Sequence, residues 1–444
     1  MSTVFNQFLK EICDLMISKS ESWEIEIKQK TNQLLLNIIR AQIIAIDEAF
    51  FNSPGRIKQY LSKDTVTRTI TFSFGTLTFV RRKYKCRHSQ AYYYPVDEML
   101  LIEKYERFSR NVKAELLQLV SGFGLSYEKS ATAFDCSKTF VSQLMASLTI
   151  DELTPALSEK ISCDYLHVMA DEDHIALQTH RDQSTKSNSH LIKHVTLFTD
   201  IQKVGKNRNK LVNKVILTPY ENESNEAFCE RVDHFIYENY DITHETYVYG
   251  DGANWIKALA QQLNVPFILD KFHMLQALMR IAGGKKNRAL RKVLQKLLEE
   301  NKKEAFFEAY YAHYDVEHLS DFKKRNLEYI KNQWNNYQRN FSLPKAHYCC
   351  AEGINSHVFA ARLSSRPKGF SKKNAHHLAF INALNHSDLP MIASVYELLP
   401  KQNRIRNIKQ KHSVYFNPIT PTVISRGLVN GIYKNVKSAI GLNR

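Results

Sequence analysis

The segment Tyr165-Leu-His-Val-Met-Ala-Asp-Glu-Asp-His-Ile-Ala-Leu177 decides how this chain is read. Tyr165 to Ala170 is a short apolar run that reads as a buried strand. It leads into the acidic patch Asp171-Glu172-Asp173-His174, and Ile175-Leu177 continues the strand beyond it. Two more carboxylates stand in comparable places. Gly250-Asp251-Gly252 follows the strand-like Tyr247-Val248-Tyr249, and Ala351-Glu352-Gly353 opens a segment that reads as a helix. The 444 residues carry 61 Lys and Arg against 45 Asp and Glu, a formal charge of +16. A basic chain suggests an anionic partner, most often nucleic acid. Carboxylates at strand ends in such a chain suit a divalent cation held against a phosphate backbone, which points to a nuclease or a DNA strand-transfer enzyme.

Working outward, His194–Phe198 and Val212–Leu217 read as strands and Phe228–Tyr237 as a helix. Tyr247–Tyr249 is a strand, Trp255–Leu263 a helix, and Val265–Leu269 a strand ending at Asp270. Three strands, helix, strand, helix, strand is the order of a ribonuclease-H-like α/β core, which mixes antiparallel and parallel strands. The core is assigned to residues 160–274 and 346–385. Between them, residues 275–345 read as helices (Ala289–Leu298, Glu304–Tyr311, Leu327–Trp334) and form a helical insertion, which accounts for the long gap between Asp251 and Glu352.

Upstream, residues 1–60 read as helical, with Phe5, Leu9, Ile12 and Met16, then Leu35, Ile39, Ile43 and Ile46, near the helical period; Pro54-Gly55 ends the segment. Residues 61–107 read as a β-hairpin region turning near Phe74-Gly75, with Arg81, Arg82, Lys83, Lys85 and Arg87 after it. This basic stripe suits DNA phosphates, or equally a hairpin edge guarded by cations. Residues 108–155 read as a helical cluster whose last two helices, joined at Asp135-Cys136 and capped by Ser137, fit a helix-turn-helix. Lys138, Thr139, Ser142 and Gln143 would then face the major groove; an ordinary helical hairpin is the alternative. Residues 386–444 form a basic C-terminal region.

Phosphodiester chemistry needs an attacking oxygen, a stabilised leaving oxygen and neutralised charge between them, which two Mg²⁺ (or Mn²⁺) ions supply. Two Asp from neighbouring strands and one Glu from a helix would converge on such ions. Asp171 and Asp173 lie two apart and face the same way on a strand, so the pattern leaves either as the ligand. Asp251-Gly252 also fits a common turn. No run approaches the ~18 apolar residues of a membrane span, no secretory signal is evident, and seven scattered cysteines fit a reducing cytosol.

At these residues the chain resembles the bacterial Lre-type insertion-sequence transposases, grouped with the Mutator-like DDE transposases. The matching blocks are Met169–Gln178, Gly250–Ile256, Asp270-Lys-Phe-His273, Ala351–His357 and Arg362–Phe370, within a similarity running from about Thr67 through Phe370. Gly369-Phe370 stands where relatives carry Gly-Trp. The resemblance implies a metal-binding catalytic triad of Asp171, Asp251 and Glu352, with Asp171 preferred to Asp173. It also implies that His273, of the Asp-x-x-His motif, lies close to the active site; a helix-capping or core histidine is the other reading. Arg362, Arg366 and Lys368 would position phosphates, or belong to a salt-bridged surface. The implied activity is DNA transposition: water hydrolyses a phosphodiester at the element end, and the freed 3′-hydroxyl attacks target DNA. The implied partners are double-stranded DNA, with terminal inverted repeats and a target, and further copies of the chain, in the bacterial cytoplasm at the nucleoid. A DNA-binding protein with a decayed core, or a nuclease without strand transfer, are the competing readings.

Overall fold

A computed structural model describes residues 2–18, 21–150, 157, 159–178, 189–206, 208–283, 287–315, 317–346, 349–365, 369–388 and 398–400. The chain divides into two compact units, residues 1–115 with 400–444, and residues 116–399. Of the C-terminal region expected at 386–444, everything past 400 lies outside the described residues.

The first unit begins with α1 (Ser2–Ile17) and α2 (Trp23–Asn52). The thirty residues of α2 contain no Gly or Pro, and Glu24 and Glu26 sit in its first turn, where the helix dipole favours negative charge. Pro54 does not close the helical segment. It opens a further short helix, α3 (Pro54–Gln59), because its ring suits a first helical position and Ser53 Oγ accepts the Arg56 N–H. The hairpin follows as β1 (Tyr60–Phe72) and β2 (Gly75–Cys86), with Phe72 opposite Gly75, so the turn is two residues long. A third strand, β3 (Tyr92–Tyr93), pairs with β2, and α4 (Pro95–Met99) follows. Leu36, Ile43, Ile70, Leu77, Phe79, Val96 and Ile102 form this unit's core.

The basic stripe is corrected here. Strand side chains alternate, and Arg81 is in phase with the buried Leu77 and Phe79. Its guanidinium is 5% exposed, sits 2.8 Å from Asp97 and lies over the Tyr94 ring. Arg82 is half-buried, with Nη1 2.8 Å from Asp47 of α2. Neither side chain is an open phosphate contact; both fasten helices to the hairpin.

The boundary between units falls in α5 (Arg110–Ser121), followed by α6 (Tyr127–Thr132) and α7 (Lys138–Ala146). Ser126 caps α6 and Ser137 caps α7, each accepting the N–H three residues on; Asp135 turns the chain between them at φ +49°.

The second unit is built on a five-stranded sheet in the order β10-β9-β4-β5-β8. Its strands are β4 (Ile161–Ala176), β5 (Ser189–Phe198), β8 (Val215–Leu217), β9 (Tyr240–Gly250) and β10 (Phe267–Leu269), with a separate hairpin β6 (Asp200–Gly205) and β7 (Arg208–Val212). β4 pairs antiparallel with β5 and parallel with β9. β4 continues past the acidic patch, as read from Ile175-Leu177. Pairing with β5 carries the strand through Asp171↔His194 to Ala176↔Ser189, whereas the β9 ladder stops at Met169↔Tyr249. The Val212–Leu217 run is also two strands, divided at Asn213 (φ +55°).

Leu166, Val168 and Ala170 point into the large core, together with α8 (Asn225–Asn239), α9 (Asn254–Gln262) and α10 (Lys271–Ile281). The inserted helices, α11 (Arg288–Glu299), α12 (Lys303–His313) and α13 (Asp321–Ser342), contribute Leu298, Phe306 and Trp334 to that same core. The insertion is therefore packed as part of this unit. Met169, Tyr247, Tyr249 and Ile268 point to the opposite face, onto Cys349 and Ala351. There lie α14 (Ala351–Ile354), a π-helical stretch (Asn355–Ala360), α15 (Ala361–Leu363) and then α16 (Lys372–His386). Removing one partner of a buried ion pair leaves the other charge uncompensated. Arg81→Ala is accordingly expected to cost about 3–5 kcal/mol in the urea unfolding of the first unit, while Arg87→Ala, at an exposed position, leaves the unfolding midpoint unchanged.

Candidate active site

Parity on the sheet explains how three distant carboxylates meet. Asp171 follows Met169 by two residues and Asp251 follows Tyr249 by two, and Met169 and Tyr249 are register partners. Both Asp residues therefore leave the ends of the parallel ladder at one level, on the face bearing Met169 and Tyr249. Ala351 is buried in the cluster on that face, so Glu352 emerges beside them. Gly250 permits the close approach: a methyl there would lie 2.9 Å from the Ala170 carbonyl oxygen.

The electrostatics show the same convergence. The Asp171 carboxyl is raised to about 7, chiefly by burial and also by the Glu352, Asp251 and Glu172 charges, against the N–H of Glu172, which donates to its Oδ1. Asp270 is also raised, first by burial and also by Glu352 and Asp251, with His273 opposing. His273 Nε2 stands 3.5 Å from Glu352 Oε1. Asp171, Asp251, Asp270, Glu352 and His273 thus share one electrostatic field. Asp270 caps α10, its Oδ1 accepting the Phe272 N–H, and so sets His273 in the first turn.

Asp173 has a different environment. Its Oδ1 accepts the Ser364 hydroxyl at 2.9 Å, and burial raises its carboxyl, but the Asp251 and Glu352 charges that act on Asp171 are not among the causes. The two candidates that the pattern left open are separated by these surroundings. Glu172, on the other face, accepts the Trp255 indole N–H at 3.0 Å, and its carbonyl accepts Asn355 Nδ2 at 3.1 Å, tying β4 to α9 and to the π-helical stretch. Such stretches interrupt helices often at functional positions.

Among the described residues, no three His, Cys, Asp or Glu side chains form a ready-made metal chelate. The donor set still fits a hard divalent cation. Its members are carboxylate oxygens, and Asp171 Oδ2 is buried without a hydrogen-bond partner. Mg²⁺ is commonly held by one or two carboxylates, with water and phosphate oxygens completing the shell.

The expected DNA contacts divide. Lys138, Thr139 and Gln143 are exposed on α7. Ser142 is committed elsewhere, since its carbonyl and hydroxyl oxygens accept Asn374 Nδ2 of α16 at 3.3 and 3.2 Å. Arg362 is corrected too: its guanidinium donates to the Ser121 and Gly122 carbonyls at 3.2 and 3.0 Å, closing the C-terminus of α5 instead of facing solvent phosphate. Arg366 and Lys368 lie outside the described residues. Sequence reading missed Asp270 as a member of the acid cluster, although it follows a strand just as Asp251 does. It also missed Tyr329, whose hydroxyl reaches the Asp251 carbonyl and whose position in α13 carries no local signal. Among the described residues, no helix is long and apolar enough to cross a membrane.

The raised Asp171 carboxyl has a consequence for stability. Its folded value of about 7 lies above the unfolded value near 3.9, so the folded state binds the proton more tightly. The stability this supplies is complete below the unfolded value and is lost as pH rises through about 7. Without metal, Asp171→Asn is expected to melt roughly 2 °C or more above the parent at pH 8. Near pH 4 the two melt together, and differential scanning calorimetry reads both.

Comparison with known proteins places the chain. Three relatives from Caldanaerobacter subterraneus subsp. tengcongensis are each 27% identical to it over 434 residues, or 93% of this chain. They are the UPF0236 proteins TTE0610/TTE0881/TTE1053/TTE2432 (90% of its length covered), TTE1650/TTE2708 (85%) and TTE0402 (85%). The model of an uncharacterised protein family, UPF0236, matches residues 17–388, and the chain belongs to that family.

Proposed function

We propose that this protein is a DNA transposase of a bacterial insertion sequence, of the Lre-type and Mutator-like DDE group, with Asp171, Asp251 and Glu352 as its catalytic carboxylates. The observation that carries this reading is the shared field of those three groups at the end of the β4–β9 ladder. The sheet order supports a ribonuclease-H-like core, with β4, β8, β9 and β10 running one way and β5 alone reversed. A further relative has a name that joins eleven designations, from TTE0033 to TTE2212. A sequence that copies itself through a genome accounts for such repetition.

In this reading Asp171, Asp251 and Glu352 would hold Mg²⁺ or Mn²⁺, which would supply Lewis-acid stabilisation to the attacking and leaving oxygens of a phosphodiester. Asp171 Oδ2 offers an unpartnered acceptor, and a cation there would compete with the Asp171 proton. His273 Nε2, 3.5 Å from Glu352 Oε1, is placed to orient that carboxylate. Asp270 fixes the turn from which His273 projects. Double-stranded DNA lies along α7, read by Lys138, Thr139 and Gln143, and the +16 charge draws it in.

The test uses DNA from the gene's own flanks, carrying its terminal inverted repeats, with Mg²⁺. Wild-type protein is expected to nick at the repeat and to join a pre-cleaved end to plasmid DNA. Asp251→Asn is expected to lower both by at least about a hundredfold. Nicking without joining would make the protein a nuclease, and equal activity in both proteins would refute the site. On the binding side, Gln143→Ala should reduce preference for the repeat over random DNA by roughly five- to a hundredfold, the range of one base contact. Ser142→Ala should leave that preference unchanged, because its hydroxyl faces Asn374; fluorescence anisotropy at several salt concentrations reads both.

A further inference from the structure

The segment inserted between Asp251 and Glu352 does more than fill space. One helix, α13, grips the ends of the two strands that carry Asp251 and Asp270. Arg339 Nη1 donates to the Phe267 carbonyl and Asn340 Nδ2 to the Leu269 carbonyl, both at 2.8 Å, so β10 is held up to the residue before Asp270. The Asp270 N–H in turn donates to the Gly250 carbonyl at 2.9 Å, joining the two strand ends. About three turns earlier on α13, the Tyr329 hydroxyl donates to the Asp251 carbonyl at 2.7 Å. Gln333, 4% exposed, closes over the next residue, where Gly252 takes φ +92° and a methyl group would lie 2.9 Å from Gln333 Nε2. On its other side the Asp251 Oδ1 accepts the Ala253 N–H at 2.8 Å, fixing the start of α9.

We infer that Tyr329 is a positioning residue for Asp251, and that α13 sets the carboxylate through the Asp251–Gly252 backbone. This inference rests on the proposed role of Asp251. The physical reason is that a turn past a strand end has lost its ladder hydrogen bonds, and a carbonyl there is free to rotate unless something holds it. The phenol supplies that hold, its O–H donating to the Asp251 carbonyl at 2.7 Å. A group beyond the metal ligands that orients one of them commonly contributes about 10–100-fold in metal affinity or activity.

Tyr329→Phe removes the hydroxyl and keeps the ring, so the packing of α13 is retained. Three quantities are measured on full-length protein: kcat for nicking repeat DNA, the Kd for that DNA by anisotropy, and Mn²⁺ binding without DNA by isothermal titration calorimetry. Expected for Tyr329→Phe is a fall of about tenfold or more in kcat and a similar weakening of Mn²⁺ binding, with DNA Kd and melting temperature unchanged. Tyr311→Phe, on the neighbouring helix α12, serves as the control and should match wild type. If wild type nicks and binds Mn²⁺ but Tyr329→Phe matches it within about twofold, a change too small for an orienting contact of this kind, the positioning role is wrong while the site stands. A kcat loss matched by lost folding or lost DNA binding also overturns it. If wild type neither nicks nor binds Mn²⁺ while Asp251→Asn is indistinguishable from it, both the site and this inference fall.

Discussion

The register of one parallel strand pair governs this molecule. Met169 opposite Tyr249 puts Asp171 and Asp251 level at the end of the ladder and on the same face. A slip of one residue would turn one of them to the opposite face, that of the apolar core of Leu166, Val168 and Val248, and away from the other. The apolar alternation of β4 and β9 therefore fixes the site before any ligand is present. Everything else at the site adapts to that level: Ala351 is packed on the same face so that Glu352 follows, and α13 closes over the Asp251–Gly252 turn.

The cost of that arrangement is accumulated like charge. Asp251 and Glu352 act on both Asp171 and Asp270, and burial together with these charges raises the Asp171 carboxyl to about 7. A fold optimised for stability alone would not retain such a cluster, since like charges a few ångströms apart weaken the compact state. Retention makes sense where a cation and a polyanion complete the balance. In the proposed function the two would be complementary, the basic surplus attracting a phosphate backbone and the acid cluster engaging it through metal.

Several cations expected at a DNA surface serve the protein interior. Arg81 is paired with Asp97, Arg82 with Asp47, and Arg362 caps α5. Each was read as a surface charge because Arg is usually exposed. For Arg81 the sequence did hold a warning, the phase shared with Leu77 and Phe79, whereas the partners Asp47 and Asp97 are remote along the chain. Arg362 and Ser142 had no such warning, because their contacts come from Ser121 and Asn374, more than two hundred residues away. Lys138, Thr139 and Gln143 remain exposed.

By itself the sequence determined the main strands and helices between Tyr165 and Leu269, though not the β6–β7 hairpin, together with the cap at Ser137 and the carboxylates standing next to strand ends. These are local matters, settled by side-chain periodicity and by hydrogen bonds three residues long. Tertiary structure alone decided that Asp171 and not Asp173 feels the other acids, that the inserted helices join the main core, and that Tyr329 meets the Asp251 carbonyl. Each of these depends on pairing or packing between segments far apart in the chain, and no local pattern encodes which distant group will arrive.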